Sequence, residues 1–275
     1  MITNYTIETL FELEEELLEG PIFDRYNDVL YFVSILGFKV YRYNPLNKEL
    51  IFVKLDSPTS CVYITKKYGI VAASVNGFFQ LDFNKLNSNL LFKINLENNL
   101  RFNDGILDYE GRFLIGTMGY PEIIENKGSL LSYNIDTGLK TLVTGTTISN
   151  GIAFTKDSKK MYFIDTPTKV VKEYSYNLRS GNCKFLKEVI KFKNIGVPDG
   201  MDIDNNGNLW IAEWGGNCVS VWNPDTGKQL ARIDLPAKNI TSLTFDNKEN
   251  VYITSANSNK SGLSKKSKLF FIERN

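Results

Sequence analysis

The chain has 275 residues, 32 basic and 31 acidic side chains, a net charge of +1 and no histidine. That length can bury one large all-β core or two ordinary ones, and a balanced charge without a basic block gives no electrostatic footing for nucleic acid or an anionic membrane. Without histidine there is no Ser-His-Asp triad, no Cys-His dyad and no imidazole metal site, so oxygen ligands and carboxylates must carry any chemistry.

The N-terminus reads MITNYTIETLFELEEELLEG. It lacks the basic start and apolar core of a signal peptide, and no later run is long enough to span a bilayer, so a soluble, cytoplasmic protein is expected. Within it, Tyr5 to Leu13 reads either as a strand or as a helical turn.

Next comes Glu19-Gly20, opening the segment EGPIFDRYNDVLYF. This segment aligns without a gap on NGIAFTKDSKKMYF, from Asn150 to Phe163, and DGMDIDNNGNLWI, from Asp199 to Ile211, fits with one residue deleted. In each, a short apolar strand runs into a polar turn and a second apolar strand. Further copies start near Thr59 (TSCVYITKKYGIVAAS), at Asp104-Gly105 (DGILDYEGRFLIGT) and at Thr241-Ser242 (TSLTFDNKENVYIT). From Asp104 onward the copies recur every 42 to 49 residues.

The unit at Asp199 displays the full pattern. After the turn Asp204-Asn205-Asn206-Gly207 comes a strand at Leu209 to Ala212, a third at Cys218 to Trp222, and a fourth at Ala231 to Leu235 beyond the turn Asn223 to Gly227. Four antiparallel strands repeated six times predict an all-β fold, a six-bladed β-propeller, as one domain over 1–275. After Ala256 only one strand, Lys268 to Ile272, remains beyond the polar stretch NSNKSGLSKKSK. The last blade therefore needs the N-terminal segment to complete it and close the ring.

Cys61, Cys183 and Cys218 are odd in number and widely spaced, so reduced structural thiols are expected. Asp165 in FIDT reads as a hydrogen-bonded structural carboxylate. Trp210, Trp214 and Trp222 read as packing between blades, and only Trp214, before Gly215-Gly216, ends a strand where it can reach a pocket mouth.

The first strand of every propeller blade lines the central channel, so Glu19, Asn150 and Asp199 are expected to converge. Two carboxylates and an amide oxygen, with no soft or nitrogen donor, suit a hard divalent cation that keeps water in its open positions. Taken singly, Asn150-Gly151 and Asp199-Gly200 are ordinary turn signals. Their shared register before a strand that reads as buried favours the metal, because an unpaired carboxylate there is costly.

Several segments in order, LLEGPIF, RFNDG with GRFLIGTM, SNGIAF with YFIDT, and PDGMDID with GNLWIAEWGG and NPDTGK, carry a resemblance over nearly the whole chain. The chain resembles the regucalcin and gluconolactonase group, the senescence marker protein family, six-bladed propellers that hydrolyse sugar lactones with a divalent metal. The resemblance implies that Glu19, Asn150 and Asp199 are metal ligands and that Asp199 is also the general base. It implies Arg101 and Asn103 as a substrate-contacting pair, and Glu122, with Glu125 in competition, as the contact for sugar hydroxyls. Without it, Arg101 reads as a surface charge and Asn103 as a cap of the Asp104-Gly105 turn.

The expected cofactor is one divalent cation, calcium, zinc, manganese or magnesium, and the expected substrate is a small polar lactone. A non-catalytic propeller that binds calcium or a small ligand would use the same three residues. A protein-interaction scaffold would instead need a large exposed apolar or charged face.

Overall fold

A computed structural model describes residues 5–193, 195–257 and 266–274. Short apolar runs interrupted by polar turns fold there into strands, with one short 3₁₀ turn at Thr166–Thr168. The chain begins with β1 (Tyr5–Leu13). Blade one is β2 (Leu18–Asp24), β3 (Val29–Ser34), β4 (Lys39–Asn44) and β5 (Glu49–Lys54). Blade two is β6 (Thr59–Thr65), β7 (Gly69–Ser74), β8 (Gly77–Asp82) and β9 (Asn87–Lys93). Blade three is β10 (Leu100–Leu107), β11 (Phe113–Gly119), β12 (Gly128–Asn134) and β13 (Gly138–Thr146). Blade four is β14 (Ser149–Phe154), β15 (Lys160–Asp165), β16 (Val170–Asn177) and β17 (Asn182–Lys191). Blade five is β18 (Val197–Ile203), β19 (Leu209–Trp214), β20 (Cys218–Asn223) and β21 (Lys228–Asp234). Blade six takes β22 (Asn239–Phe245), β23 (Val251–Ala256) and β24 (Ser267–Arg274) from the C-terminal end, and β1 as its outer strand.

This is the six-bladed β-propeller that the repeat predicts. Tyr5 pairs with Arg274 and Leu13 with Ser267, antiparallel, so the N-terminal segment is a strand and it closes the ring. The polar stretch before β24 lies, from 258 to 265, outside the described residues. Among the described residues no helix is long and apolar enough to cross a membrane.

The hydrophobic core is divided among the six blade interfaces. Trp210 meets Phe245 edge-on at 5.3 Å between blades five and six. Trp222 joins the Tyr162 and Leu209 cluster between blades four and five, against Phe192. Phe23 and Tyr252 stack at 5.7 Å where blade six meets blade one. Each such interface buries aromatic or branched side chains from two sheets, so closing the ring is also what completes the core. Cys61 and Cys218 are buried within these layers, Cys183 is half-buried, and all three are free.

Every first strand carries a register shift against the second, in blade one between Glu19 and Ile22, in blade four between Asn150 and Ile152, in blade five between Pro198 and Met201. Blades two, three and six show it at Thr59/Cys61, Phe102/Gly105 and Ile240/Ser242. Such bulges bend the strand and re-aim a side chain. Here they recur at the repeated oxygen-bearing positions.

Candidate functional site

A cavity of about 360 Å³ opens where the first strands converge. Glu19 comes to it from β2, Arg101 and Asn103 from β10, Asn150 from β14 and Asp199 from β18, with Thr166 entering just past the end of β15. Glycine makes the approach possible. A Cβ on Gly151 would lie 2.8 Å from the Asp199 carbonyl oxygen, and one on Gly200 would lie 2.3 Å from Ser242 Oγ. Neighbouring first strands thus pack closer at these points than any other residue permits.

Hydrogen bonds tie the polar floor into one directed chain. Arg101 Nη1 donates to Asn103 Oδ1 and to the Phe102 carbonyl, each at 2.8 Å. Asn103 Nδ2 donates to Asn150 Oδ1 and to the Ser149 carbonyl, each at 2.9 Å. Asn150 Nδ2 in turn donates to Thr166 Oγ1 at 2.8 Å, and the Thr166 hydroxyl donates to the Pro198 carbonyl at 2.8 Å. The chain crosses from blade three to blade five and ends on the residue before Asp199.

Burial, then the Asp104 charge, raises the Glu19 carboxyl above the ordinary carboxylate range. Burial, then the Glu19 and Asp104 charges, does the same to Asp199. Asp104 itself is pushed up to about 6, by burial first and by Asp202. Against these stands Arg101, 7 % exposed, whose own pKa burial pushes down to about 10 while Glu19, Tyr120 and Asp199 hold it up. Glu19 and Asp199 line the cavity with Arg101 as the one counter-charge, so the ionised cavity carries a surplus of negative charge.

A hard divalent cation matches that surplus. Among the described residues no three Asp, Glu or Cys side chains cluster so as to hold a metal, so the donor set depends on the amide oxygen of Asn150. The amide nitrogen donates to Thr166 and also bonds the Asp199 carboxyl, and the amide oxygen accepts from Asn103. Its second lone pair is free beside the bond from Asn103. The residues present therefore fit a divalent cation bound through oxygen.

The cavity brings together five of the six residues singled out from the sequence. Arg101 and Asn103 are buried rather than a surface charge and a turn cap. It is Asp104 that bonds the Gly105 N–H, at 2.7 Å, and Asn103, one residue earlier, that lines the cavity. Glu122 and Glu125 are exposed on the following loop, and the loop residue that lines the cavity is Ile123. Asp165 is structural, its Oδ1 accepting the Thr147 and Ile148 N–H groups at 3.0 and 2.9 Å. Trp214 does line the cavity. Sequence reasoning missed Thr166, whose signal was its place at the end of a second strand beside Asp165, and it missed the apolar wall.

A six-bladed propeller whose axial cavity gathers two carboxyls, two amides and a buried arginine defines a class of propeller with a small-molecule-sized pocket where the blades meet. The chain belongs to the SMP-30/gluconolactonase/LRE-like family, whose sequence model matches residues 17–257. It is 33% identical over 263 residues to regucalcin of Xenopus laevis, covering 93% of this chain and 88% of that one. It is 34% identical over 245 residues to a putative sugar lactone lactonase, YvrE, of Bacillus subtilis, covering 86% and 82%. The structure of a regucalcin from Agrobacterium tumefaciens, described as a calcium-binding protein, superimposes with a TM-score of 0.87 at 23% identity over 96% of this chain and 93% of that one, a likeness of fold. Membership supports lactonase-type function.

Proposed function

We propose that the protein hydrolyses a small lactone, with Glu19, Asn150 and Asp199 holding one divalent cation and Asp199 acting as general base. The observation that carries this reading is the convergence of two buried, mutually repelling carboxyls, Glu19 and Asp199, on the Asn150 amide in one cavity. A divalent cation bound there supplies Lewis-acid polarisation of a carbonyl and a more acidic water. Calcium is the first candidate, since a protein of the same fold carries that description.

Hydrolysis adds water oxygen to the lactone carbonyl carbon and breaks the bond to the ring oxygen. Asp199 accepts the proton that the water loses and returns it to the departing ring oxygen, which leaves as a hydroxyl. No histidine is present to activate a serine or cysteine, so direct attack by water is favoured over an acyl-enzyme. Arg101 keeps Nη2 for a substrate oxygen while Nη1 anchors it to Phe102 and Asn103. Asn103 orients the Asn150 amide as well as facing the cavity. Glu122, exposed on the loop of Ile123, is assigned at most a contact at the mouth, with Glu125 its neighbouring alternative. Three free cysteines fit a reducing, cytoplasmic setting.

The test is a pH-stat screen of lactones on metal-stripped protein reconstituted separately with calcium, zinc, manganese and magnesium. Hydrolysis that appears with one cation and vanishes on chelation is expected. Tight calorimetric cation binding with no hydrolysis of any lactone would make the protein a non-catalytic binder.

A further inference from the structure

The polar atoms of the cavity lie on its floor, and nearly all of them are already engaged. Both amide nitrogens, Asn103 Nδ2 and Asn150 Nδ2, donate within the protein, and the Thr166 hydroxyl gives its proton to Pro198. What is left for a substrate is Arg101 Nη2 and the face of the cation ligands, enough for a carbonyl and a ring oxygen. The wall above is of another character. Leu17 and Ile35 contribute from blade one, Met118 from blade three, Ile148 from the entry to blade four, and Val197 and Trp214 from blade five. At the mouth stands Ile123, a large apolar side chain 60 % exposed.

A sugar lactone carries a hydroxyl on nearly every ring carbon, and each must give up water on entering. Against this wall those hydroxyls find no partner, at a cost of about ten- to a hundredfold in binding for each one left unpaired. An alkyl substituent gains where the hydroxyls lose, about fourfold for each buried methylene. Ile123 would then be covered by the ligand rather than left in water.

On the footing of the lactonase reading, we infer that the substrate is a monocyclic lactone bearing a short alkyl chain, and not a polyhydroxylated sugar lactone. The ring carbonyl faces Arg101 and the ligand cluster, and the chain runs along Trp214 and Met118 toward Ile123.

Two measurements on the full chain test this. In the first, kcat/KM is compared for glucono-δ-lactone and a series of alkyl δ-lactones on the cation-loaded protein. The alkyl series is expected to lead by at least about tenfold and to improve with each methylene until the cavity is filled, and Ile123→Asn is expected to shift the ratio about tenfold toward the hydroxylated substrate. A glucono-δ-lactone preference would overturn the inference and leave the lactonase reading standing. In the second, hydrolysis-resistant δ-lactams, one alkylated and one hydroxylated, are titrated against tryptophan fluorescence, with Trp214→Phe as the control for the reporting residue. Tighter binding of the alkylated lactam, about tenfold, supports the inference even if no lactone is turned over, in which case only the proposed catalysis fails. Equal or weaker binding of the alkylated lactam refutes it.

Discussion

Thr166 shows how one hydroxyl can decide what an amide offers. An amide has two faces, and with its nitrogen toward the ligands Asn150 would repel a cation instead of binding it. The Thr166 oxygen accepts from Asn150 Nδ2 because its own proton is spent on the Pro198 carbonyl, and this fixes the amide plane while Oδ1 accepts from Asn103. Thr166→Val keeps the shape and removes the acceptor. Cation affinity by calorimetry is expected to fall about ten- to a hundredfold, the weight of a buried hydrogen bond, while Thr166→Ser retains it. Equal affinity for the valine and wild-type proteins would remove Thr166 from this role. For Asp199→Asn the expectation is the reverse split: much of the cation affinity survives, because an amide still offers an oxygen, and hydrolysis is lost, because an amide cannot take a proton. Near-wild-type turnover by the folded, cation-loaded variant would exclude Asp199 as the base. Glu19, Asn150 and Asp199 were legible because each precedes glycine in a repeated segment. Thr166 was not, since its partners lie in other segments and only folding brings them together. The Asp104-Gly105 pair misled by one residue, because the bulge in β10 spans Asn103 and Asp104 and presents the former to the cavity.

Strands with bulges explain both what the repeat revealed and what it hid. Alternation of apolar and polar residues marked most strands, but Tyr5 to Leu13 read equally as a helical turn. The reason is visible in its pairing with β24, where the register slips between Thr9 and Phe11. One extra residue exchanges the faces of the strand, so the period of two breaks halfway along. Phe11 then reaches Tyr43 of blade one, ring centroids 5.1 Å apart, which joins the closing strand to the next blade. The bulges of the first strands depend on small residues in the same way. In Gly200→Ala the new methyl would meet Ser242 Oγ at 2.3 Å and its Cβ at 2.6 Å, so β18 and β22 must separate. Overpacking of this kind costs about 1 to 3 kcal/mol. Urea denaturation is expected to show that loss with an unchanged slope, together with weaker cation binding, because Asp199 sits on the displaced strand. An unaltered midpoint would mean that the two strands are not held at contact distance.

The ring as a whole gathers charge at its axis, and this sets how its stability responds to pH. In the cation-free protein, burial and mutual repulsion raise the folded-state pKa of Glu19 to about 8 and raise Asp199 well above its ordinary value, while Asp104 is pushed up to about 6 by burial and by Asp202, and Asp202 to about 6 by burial against its neighbours. Unfolding returns each group to the ordinary carboxylate range, so between about pH 4 and pH 8 the folded state holds protons that the unfolded state has released. Stability then falls as pH rises, because the unfolded state binds fewer protons across that interval. The contribution is fully present below the unfolded pKa values and is lost on passing the folded ones. A divalent cation acts in the opposite sense. It binds the ionised carboxylates, so its affinity grows as protons leave, and it stabilises the folded state by mass action. The urea midpoint of chelator-treated protein is therefore expected to decline from pH 4.5 to pH 8, and saturating calcium is expected to abolish most of that decline. Asp199→Asn, which cannot ionise, should flatten the cation-free curve and shrink the calcium effect at pH 8. A cation-free midpoint that stays level or rises over this interval would show that the axial carboxylates are not held together against their repulsion, and the common site for Glu19, Asn150 and Asp199 would fall with it.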